Sequence, residues 1–438
     1  MKHHTGWFLF LLLFIAGIFG TISTGVALYV RLAYMGAVLL FSTWLWTRLS
    51  LRNVKLKRRA RSLRASVGDI FEETFEVEND SLFPRLFVEV KNKTGLQYSS
   101  GSRLLTWIGP RESRTYVART WLTRRGAFPL GPTAVSSGDP FGFFNVSESF
   151  PATQSLIVLP MIISIGSFPA PAGFLPGGRA IHSKSMDVTP HASGVREYVS
   201  GDAYKRIHWP TSARRGHLMV KEFEQDPQSE FWIYLDAERY IQAELPEEPF
   251  LLRDTWIFGR RPEIHLPPST LEYGISLAAS LAHYFIQKQK AVGFVADGSV
   301  FTVIPAERSD RQESKILETL AFVKGEGKLP LSSLVDLQSP QMPSGSSAVL
   351  ITPSTHDEII LAVDLLLRRR LRPIVILLMA YSFGGSGGSE NLAERLEHRG
   401  VSVCRVYNNS NLVEVLEQFS GLQRELENHS WHELPFKH

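Results

Sequence analysis

Cysteine is almost missing from this 438-residue chain: Cys404 stands alone. That excludes an intramolecular disulfide and any metal site built on paired cysteines, and it fits a reducing compartment. Two catalytic signatures are also missing. There is no His-Glu-x-x-His and no Gly-x-x-x-x-Gly-Lys-Ser/Thr. Zinc-protease chemistry and a P-loop therefore have no sequence support. Negative charge is absent at the start, with no acidic residue before Asp69, whereas residues 1–64 hold ten Lys and Arg. Without those ten the chain has 37 basic and 43 acidic residues, so the formal +4 hides a remainder near −6. A nucleic-acid binder needs its cations on the binding domain, so no nucleic-acid partner is expected.

What the first residues do hold is apolar length. Residues 7–47 carry one charge, Arg31. A spanning helix needs about 20 apolar residues, so this stretch predicts two spans with a tight turn near Ser23-Thr24-Gly25. Arg31 and Tyr29 fall near the outer interface, and Trp7, Trp44 and Trp46 at the inner one. The cations Arg48, Arg52, Lys55, Lys57, Arg58, Arg59, Arg61 and Arg64 then mark the cytoplasmic side, so residues 55–438 and both termini are expected there. A cleaved signal peptide is the competing reading, but a second apolar run follows at once and no small-x-small cleavage site stands out.

The expected organisation is multi-domain: a transmembrane helical hairpin over 1–51, a basic juxtamembrane segment over 52–64, and a small β-sandwich over 65–160. A Pro/Gly-rich linker over 161–190, a charged segment over 191–227 and a doubly wound α/β domain over 228–438 follow. The sandwich rests on short alternating strands, with Phe71, Phe75 and Val77 on one parity and no long helical period. Asp139-Pro140-Phe141-Gly142-Phe143-Phe144 reads as a turn that seats aromatics in the sandwich core. After residue 228 buried-strand runs at 231–235, 292–296, 348–352, 373–379 and 401–406 alternate with helical patterns, which predicts a parallel sheet.

The most distinctive stretch is 194–226, GVREYVSGDAYKRIHWPTSARRGHLMVKEFEQD, which interleaves both charge signs with Tyr198, Trp209 and Phe223. Gly201-Asp202 reads as a turn and helix cap, Pro210 as a break or restart, Gly216 as a stop, and 217–223 as a strand. Its candidate site residues are Arg196, Tyr198, Gly201, Asp202, Arg206, Trp209, Ser212, Arg214, Glu222 and Glu224. Three readings compete. One is a structural brace in which Arg196, Asp202, Arg206 and Arg214 form ion pairs. Another is a docking surface, because Trp, Tyr and Arg dominate interface hot spots. The third is catalysis by Asp202, His208 and Ser212, with His208 and Ser212 at helical spacing. The expectation is a brace in which Trp209 is mainly structural and Arg206 and Arg214 face a partner.

This run, with Arg124-Arg125-Gly126, Gly131-Pro132 and the Asp139-Pro140-Phe141-Gly142 turn, resembles the bacterial family called domain of unknown function 58. The resemblance implies a von Willebrand factor A-like α/β domain. Its metal-dependent adhesion site would begin at Asp236, but Glu238 and Tyr240 stand where two serines are needed and Thr352-Pro353-Ser354 replaces the acidic loop. The site is therefore expected to be degenerate and to hold no metal, because a hard cation needs several oxygen ligands around it. No cofactor is expected either. Gly384-Gly385-Ser386-Gly387-Gly388-Ser389 lies between a strand and a helix where a phosphate cradle would sit, and Ser389 reads more simply as a helix cap. The resemblance also implies neighbours: MoxR-type AAA+ ATPases and membrane-bound transglutaminase-like proteins. The expected protein is thus a scaffold or adaptor at the bacterial inner membrane. The alternative is a hydrolytic or nucleotide-handling enzyme using 194–226 or 384–389.

Overall fold

The computed structural model describes residues 5–97, 99–169, 192–199, 204, 207–223, 230–246 and 265–432. Two units are distinguished, one formed by residues 1–161 with 248–265 and 317–322, the other by the remainder.

The first unit begins with helices α1 (Thr5–Thr24) and α2 (Ala27–Ser50). Gly25 takes φ 67°, a left-handed conformation glycine adopts without strain, and reverses the chain between them. Small residues let the two helices approach: a Cβ on Gly17 would lie 3.3 Å from the Ala33 nitrogen, and Gly20 faces the Tyr29 ring. α2 is long and apolar enough to cross a membrane, and almost none of it is buried.

Ten strands follow: β1 (Val54–Ala60), β2 (Arg64–Ser66), β3 (Ile70–Asn79), β4 (Arg85–Asn92), β5 (Arg103–Ile108), β6 (Ser113–Trp121), β7 (Gly126–Pro129), β8 (Thr133–Gly138), β9 (Asn145–Phe150) and β10 (Ser155–Leu159). Sheets β1-β3-β6 and β5-β4-β8-β9 close on one core, where Phe75, Val77 and Tyr116 meet Val88, Val90, Ile108 and Val135. A smaller sheet, β2-β10-β7, has its own core around Leu122, Leu156 and Val158. The alternation along β3 buries every second residue, as half-buried strands require.

The sandwich starts earlier than 65. The basic stretch expected as a juxtamembrane segment contains β1, an edge strand paired antiparallel to β3. Its cations meet β3 and the turn after it: Lys55 pairs with Asp80, Lys57 with Glu78 at 2.8 Å, and the Arg58 Nε with Glu73 at 2.8 Å. Cross-strand opposite charges favour this pairing. The basic run alone does not show its strand, because its partners lie about 20 residues further on.

The second unit opens with β11 (Ala192–Glu197), α3 (Trp209–Arg215) and β12 (Met219–Phe223). The chain continues as β13 (Phe231–Leu235), α4 (Thr270–Gln287), β14 (Val292–Asp297), β15 (Phe301–Glu307), α5 (Asp310–Phe322, of which 317–322 fall in the first unit), α6 (Leu331–Gln338) and β16 (Ser347–Thr352). The last elements are α7 (Glu358–Arg368), β17 (Arg372–Leu378), α8 (Ser389–Glu397), β18 (Ser402–Val406) and α9 (Leu412–His432). One six-stranded sheet has the order β15-β14-β13-β16-β17-β18, parallel except for the antiparallel edge β15. Helices cover both faces. Trp232, Tyr234, Leu350 and Leu377 pack under α6, α7 and α8, while α4 lies on the other face, with Phe285 stacked 3.7 Å from Phe231.

The central strands are fully buried on both faces, which is why they read as apolar runs. β15 and α6 are not anticipated by the sequence reading. β15 carries Thr302, Pro305 and Glu307 on a half-exposed edge, and α6 is only two turns long. The expected linker is also partly ordered core: Phe168 is 3% exposed and meets Phe285 edge-on at 5.8 Å, and the Ile163 N–H donates to Ser280 Oγ at 2.9 Å. The rest of that segment, 170–191, lies outside the described residues.

Candidate functional site

Among the described residues, two groups carry the polar chemistry considered as candidate sites. The first is the signature segment. β11 and β12 form an antiparallel pair in which Arg196 faces Val220 and Glu197 faces Met219. The chain returns on the other edge of β12, where Ile207 bridges Val220 and the His208 N–H donates to the Met219 carbonyl at 2.8 Å. His208 caps α3, its Nδ1 accepting from the Thr211 N–H at 3.3 Å. Pro210 therefore does not break a helix. It sits in the first turn, where its missing N–H has no intrahelical partner to lose. Gly216, at φ 73°, ends the helix as expected.

Ser212 is a clasp. Its hydroxyl donates to the His208 carbonyl at 3.0 Å and accepts from the Met219 N–H at 2.8 Å, tying α3 to β12. The helical spacing of His208 and Ser212 thus joins a hydroxyl to a backbone carbonyl, while the imidazole engages Thr211 at 2.7 Å. The Ser–His side-chain pair needed for nucleophilic catalysis is not formed here.

Trp209 departs from expectation. It opens α3 with 65% of its surface exposed, so it is not a core aromatic. Ser212, three residues later, is buried at 7% exposure. Tyr204 is 74% exposed and stacks on Tyr198 at 6.1 Å. Arg214 and Arg215 are exposed in the last turn, where cations complement the helix dipole. The His217 imidazole lies 3.2 Å from Glu197. Of the other expected site residues, Arg196 and Glu222 lie on β11 and β12, whereas Gly201, Asp202, Arg206 and Glu224 are outside the described residues.

The second group lies at the carboxyl ends of β13 and β16, where the strand order reverses and open α/β sheets form their crevice. Asp236 is 2% exposed; one carboxylate oxygen accepts from the Thr352 hydroxyl at 2.7 Å and the other from the Glu238 N–H at 3.3 Å. Burial pushes its pKa up to about 7, against these two hydrogen bonds. Burial and the nearby Glu358 also raise Glu238, while His356 lowers it. Tyr240 is 87% exposed and contributes nothing to the crevice. Among the described residues no group of three His, Cys, Asp or Glu side chains stands at metal-binding distances. His356 and Glu358 were missed by sequence reasoning, since they follow the strand end as an unremarkable helix start.

At the glycine loop, Gly388 at φ 115° is the residue that caps α8, and Ser389 follows as its first, fully buried helical residue. Ser389 is therefore not the cap. Gly384, at φ 82°, closes the short turn Ala380–Phe383.

The family model described as protein of unknown function DUF58 matches residues 194–242, which span β11, α3, β12, β13 and Asp236. The uncharacterized protein YeaD of Bacillus subtilis (strain 168) is 22% identical over 324 residues, covering 71% of this chain and 73% of that protein. Both findings support the DUF58 family. Among solved structures, the Pseudomonas fluorescens alkylpurine DNA glycosylase AlkC is 14% identical, with 30% of this chain and 40% of that chain covered at a TM-score of 0.15. A Paenibacillus sp. cycloisomaltooligosaccharide glucanotransferase is 9% identical, with 74% and 45% covered at the same score of 0.15. At that score neither likeness bears on fold or chemistry.

Proposed function

We propose that this chain is a membrane-anchored adaptor that presents α3 to a protein partner. In this reading α1 and α2 form a two-span hairpin in the bacterial inner membrane, the bulk of the chain is cytoplasmic, and the α/β unit is a von Willebrand factor A-like scaffold. The partner is a MoxR-type AAA+ ATPase, and a transglutaminase-like membrane protein is the second neighbour in the same assembly.

One observation carries the reading: Trp209 stands 65% exposed on a helix clasped to its strand by Ser212, with Arg214 and Arg215 exposed on the following turn. Trp and Arg are the residues most enriched at binding hot spots. A helix already fixed in place loses little conformational freedom on docking. Cations beside an aromatic suit a partner groove that is apolar with an acidic rim. The polar groups of His208 and Ser212 are consumed in holding this face, which favours binding over catalysis.

The test is capture of a MoxR-type ATPase by the full-length protein in detergent. Trp209→Ala and Arg214→Ala should each stay folded and lose at least about 2 kcal/mol of binding, roughly thirtyfold in affinity. Undiminished capture by both variants overturns the docking role of α3.

A further inference from the structure

We infer that three turns at one end of the β-sandwich enter the interfacial layer of the membrane that α2 crosses, making the sandwich a second, peripheral membrane contact. This rests on the membrane reading of α2.

The first turn lies directly at the end of that helix. The Asn53 carbonyl accepts the Asp80 N–H at 2.9 Å, and the Arg85 guanidinium donates to the Arg52 carbonyl at 2.7 Å. Leu82 and Phe83 sit between these two ties, 71% and 69% exposed. At no more than about 3.6 Å per residue they stay within roughly 11 Å of the helix exit.

Buried Asn79 locks the second turn to the first. Its side-chain amide donates to the Phe83 carbonyl at 2.9 Å and to the Gly109 carbonyl at 2.9 Å, and the Arg111 N–H reaches the Ser81 carbonyl at 3.3 Å. Trp107, the penultimate residue of β5 where it enters this turn, is 54% exposed. Its φ of 59° is unusual for a bulky residue.

The third turn reaches the same end because β8 runs antiparallel to β4. Ser137 Oγ donates to the Phe87 carbonyl at 2.6 Å, so the turn after Gly138 lies beside the start of β4. Asp139 accepts the Phe141 N–H at 2.8 Å and the Phe144 N–H at 2.6 Å. Phe143 goes into the core at 7% exposure, but Phe141 stacks on it at 5.6 Å and is 60% exposed. The sequence expectation of a core-seating turn therefore holds for Phe143 and fails for Phe141. α2 itself packs on β8 and β9.

Single exposed apolar residues are ordinary on a soluble surface. Four large ones on three rigid turns, grouped at the exit of an apolar helix, are not scattered. Trp at a membrane–water boundary is favoured because its ring is apolar with one polar edge. Arg48, Arg52 and Arg111 are exposed at this end, while the acids Asp80 and Glu112 are taken up by Lys55 and Arg114. The resulting charge suits an anionic phospholipid surface.

The test uses the full-length protein in phosphatidylcholine–phosphatidylglycerol vesicles. With Cys404→Ser as background, single cysteines are introduced as Phe83→Cys, Trp107→Cys and Phe141→Cys and labelled with a polarity-sensitive fluorophore. Val38→Cys in α2 reports the span, and Lys93→Cys, just past the far end of β4, reports the distal end of the sandwich. Lipids carrying a nitroxide near the headgroup should quench the three turn labels several-fold more than Lys93→Cys, and deep nitroxides should quench Val38→Cys. Quenching at Val38→Cys with turn labels like Lys93→Cys overturns this inference and leaves the anchor standing. Turn labels shielded from a water-soluble quencher yet untouched by the lipid nitroxides mean a protein covers them, which also overturns it. No quenching at Val38→Cys defeats the membrane reading and this inference with it.

Discussion

Asp236 shows how one side chain reports on its surroundings. Its carboxyl is buried at the switch point with only a hydroxyl and one N–H as partners, and burial lifts its pKa from 3.8 to about 7. A carboxyl whose folded pKa is raised binds its proton more tightly when folded. Its contribution to stability is therefore complete below the unfolded value and is lost as pH rises through about 7. The loss across that window reaches up to roughly 4 kcal/mol. Thermal unfolding of the full chain in detergent should thus show declining stability from about pH 4 to pH 7, and Asp236→Asn should flatten that decline. Identical pH profiles for the two proteins would remove the buried, proton-holding role. Glu73 gives the complementary lesson. It shares parity with Phe71, Phe75 and Val77, so its inward position is legible in the sequence, but its partner Arg58 is not. Arg58 sits 15 residues earlier in a run that looks uniformly exposed, and only strand pairing brings it there.

At the scale of elements, the signature segment divides its residues between holding and presenting. Ser212→Ala would leave the buried Met219 N–H without its acceptor, which costs about 1–3 kcal/mol. Trp209→Ala removes a side chain that is 65% exposed, and surface substitutions of this kind stay within about 0.5 kcal/mol. The two variants should therefore separate cleanly in chemical denaturation: a large shift for Ser212→Ala and almost none for Trp209→Ala. A loss of several kcal/mol in Trp209→Ala, of the order of 3–5 expected for a core aromatic, would return it to the structural role first read from its type. The stop at Gly216 and the strand after it are local rules and are readable from residue order, whereas the cap at His208 is not anticipated. Which face of α3 looks outward is not readable either, because a seven-residue helix has too few turns to show a stripe.

For the whole molecule, the proposed inward orientation rests on the apolar start and the cations after it, and part of that charge is spoken for. Lys55, Lys57 and Arg58 are paired with acids of the sandwich, and Arg48 and Arg52 remain exposed at the helix end. The turn at Gly25 carries no charge to oppose them. On the proposed topology, in which residues 55–438 are cytoplasmic, alkaline phosphatase fused after His438 should be inactive in cells. High activity of that fusion would reverse the orientation and remove the reducing setting assigned to Cys404.

Sequence alone determined what depends on near neighbours. The buried strands of the α/β sheet read as continuous apolar runs, their helices as periodic ones, and α2 as a length of apolar residues, because each signal is complete within about 20 positions. Tertiary structure decided what depends on distant partners. It made a strand of the basic segment, by setting acids opposite its cations, and it buried Phe168 from a stretch that reads as linker. It also joined Asp236 to Thr352 across 116 residues and gathered Leu82, Phe83, Trp107 and Phe141 at one end of the sandwich. Burial and pairing at such separations follow from strand register and sheet order, which composition and local period do not carry.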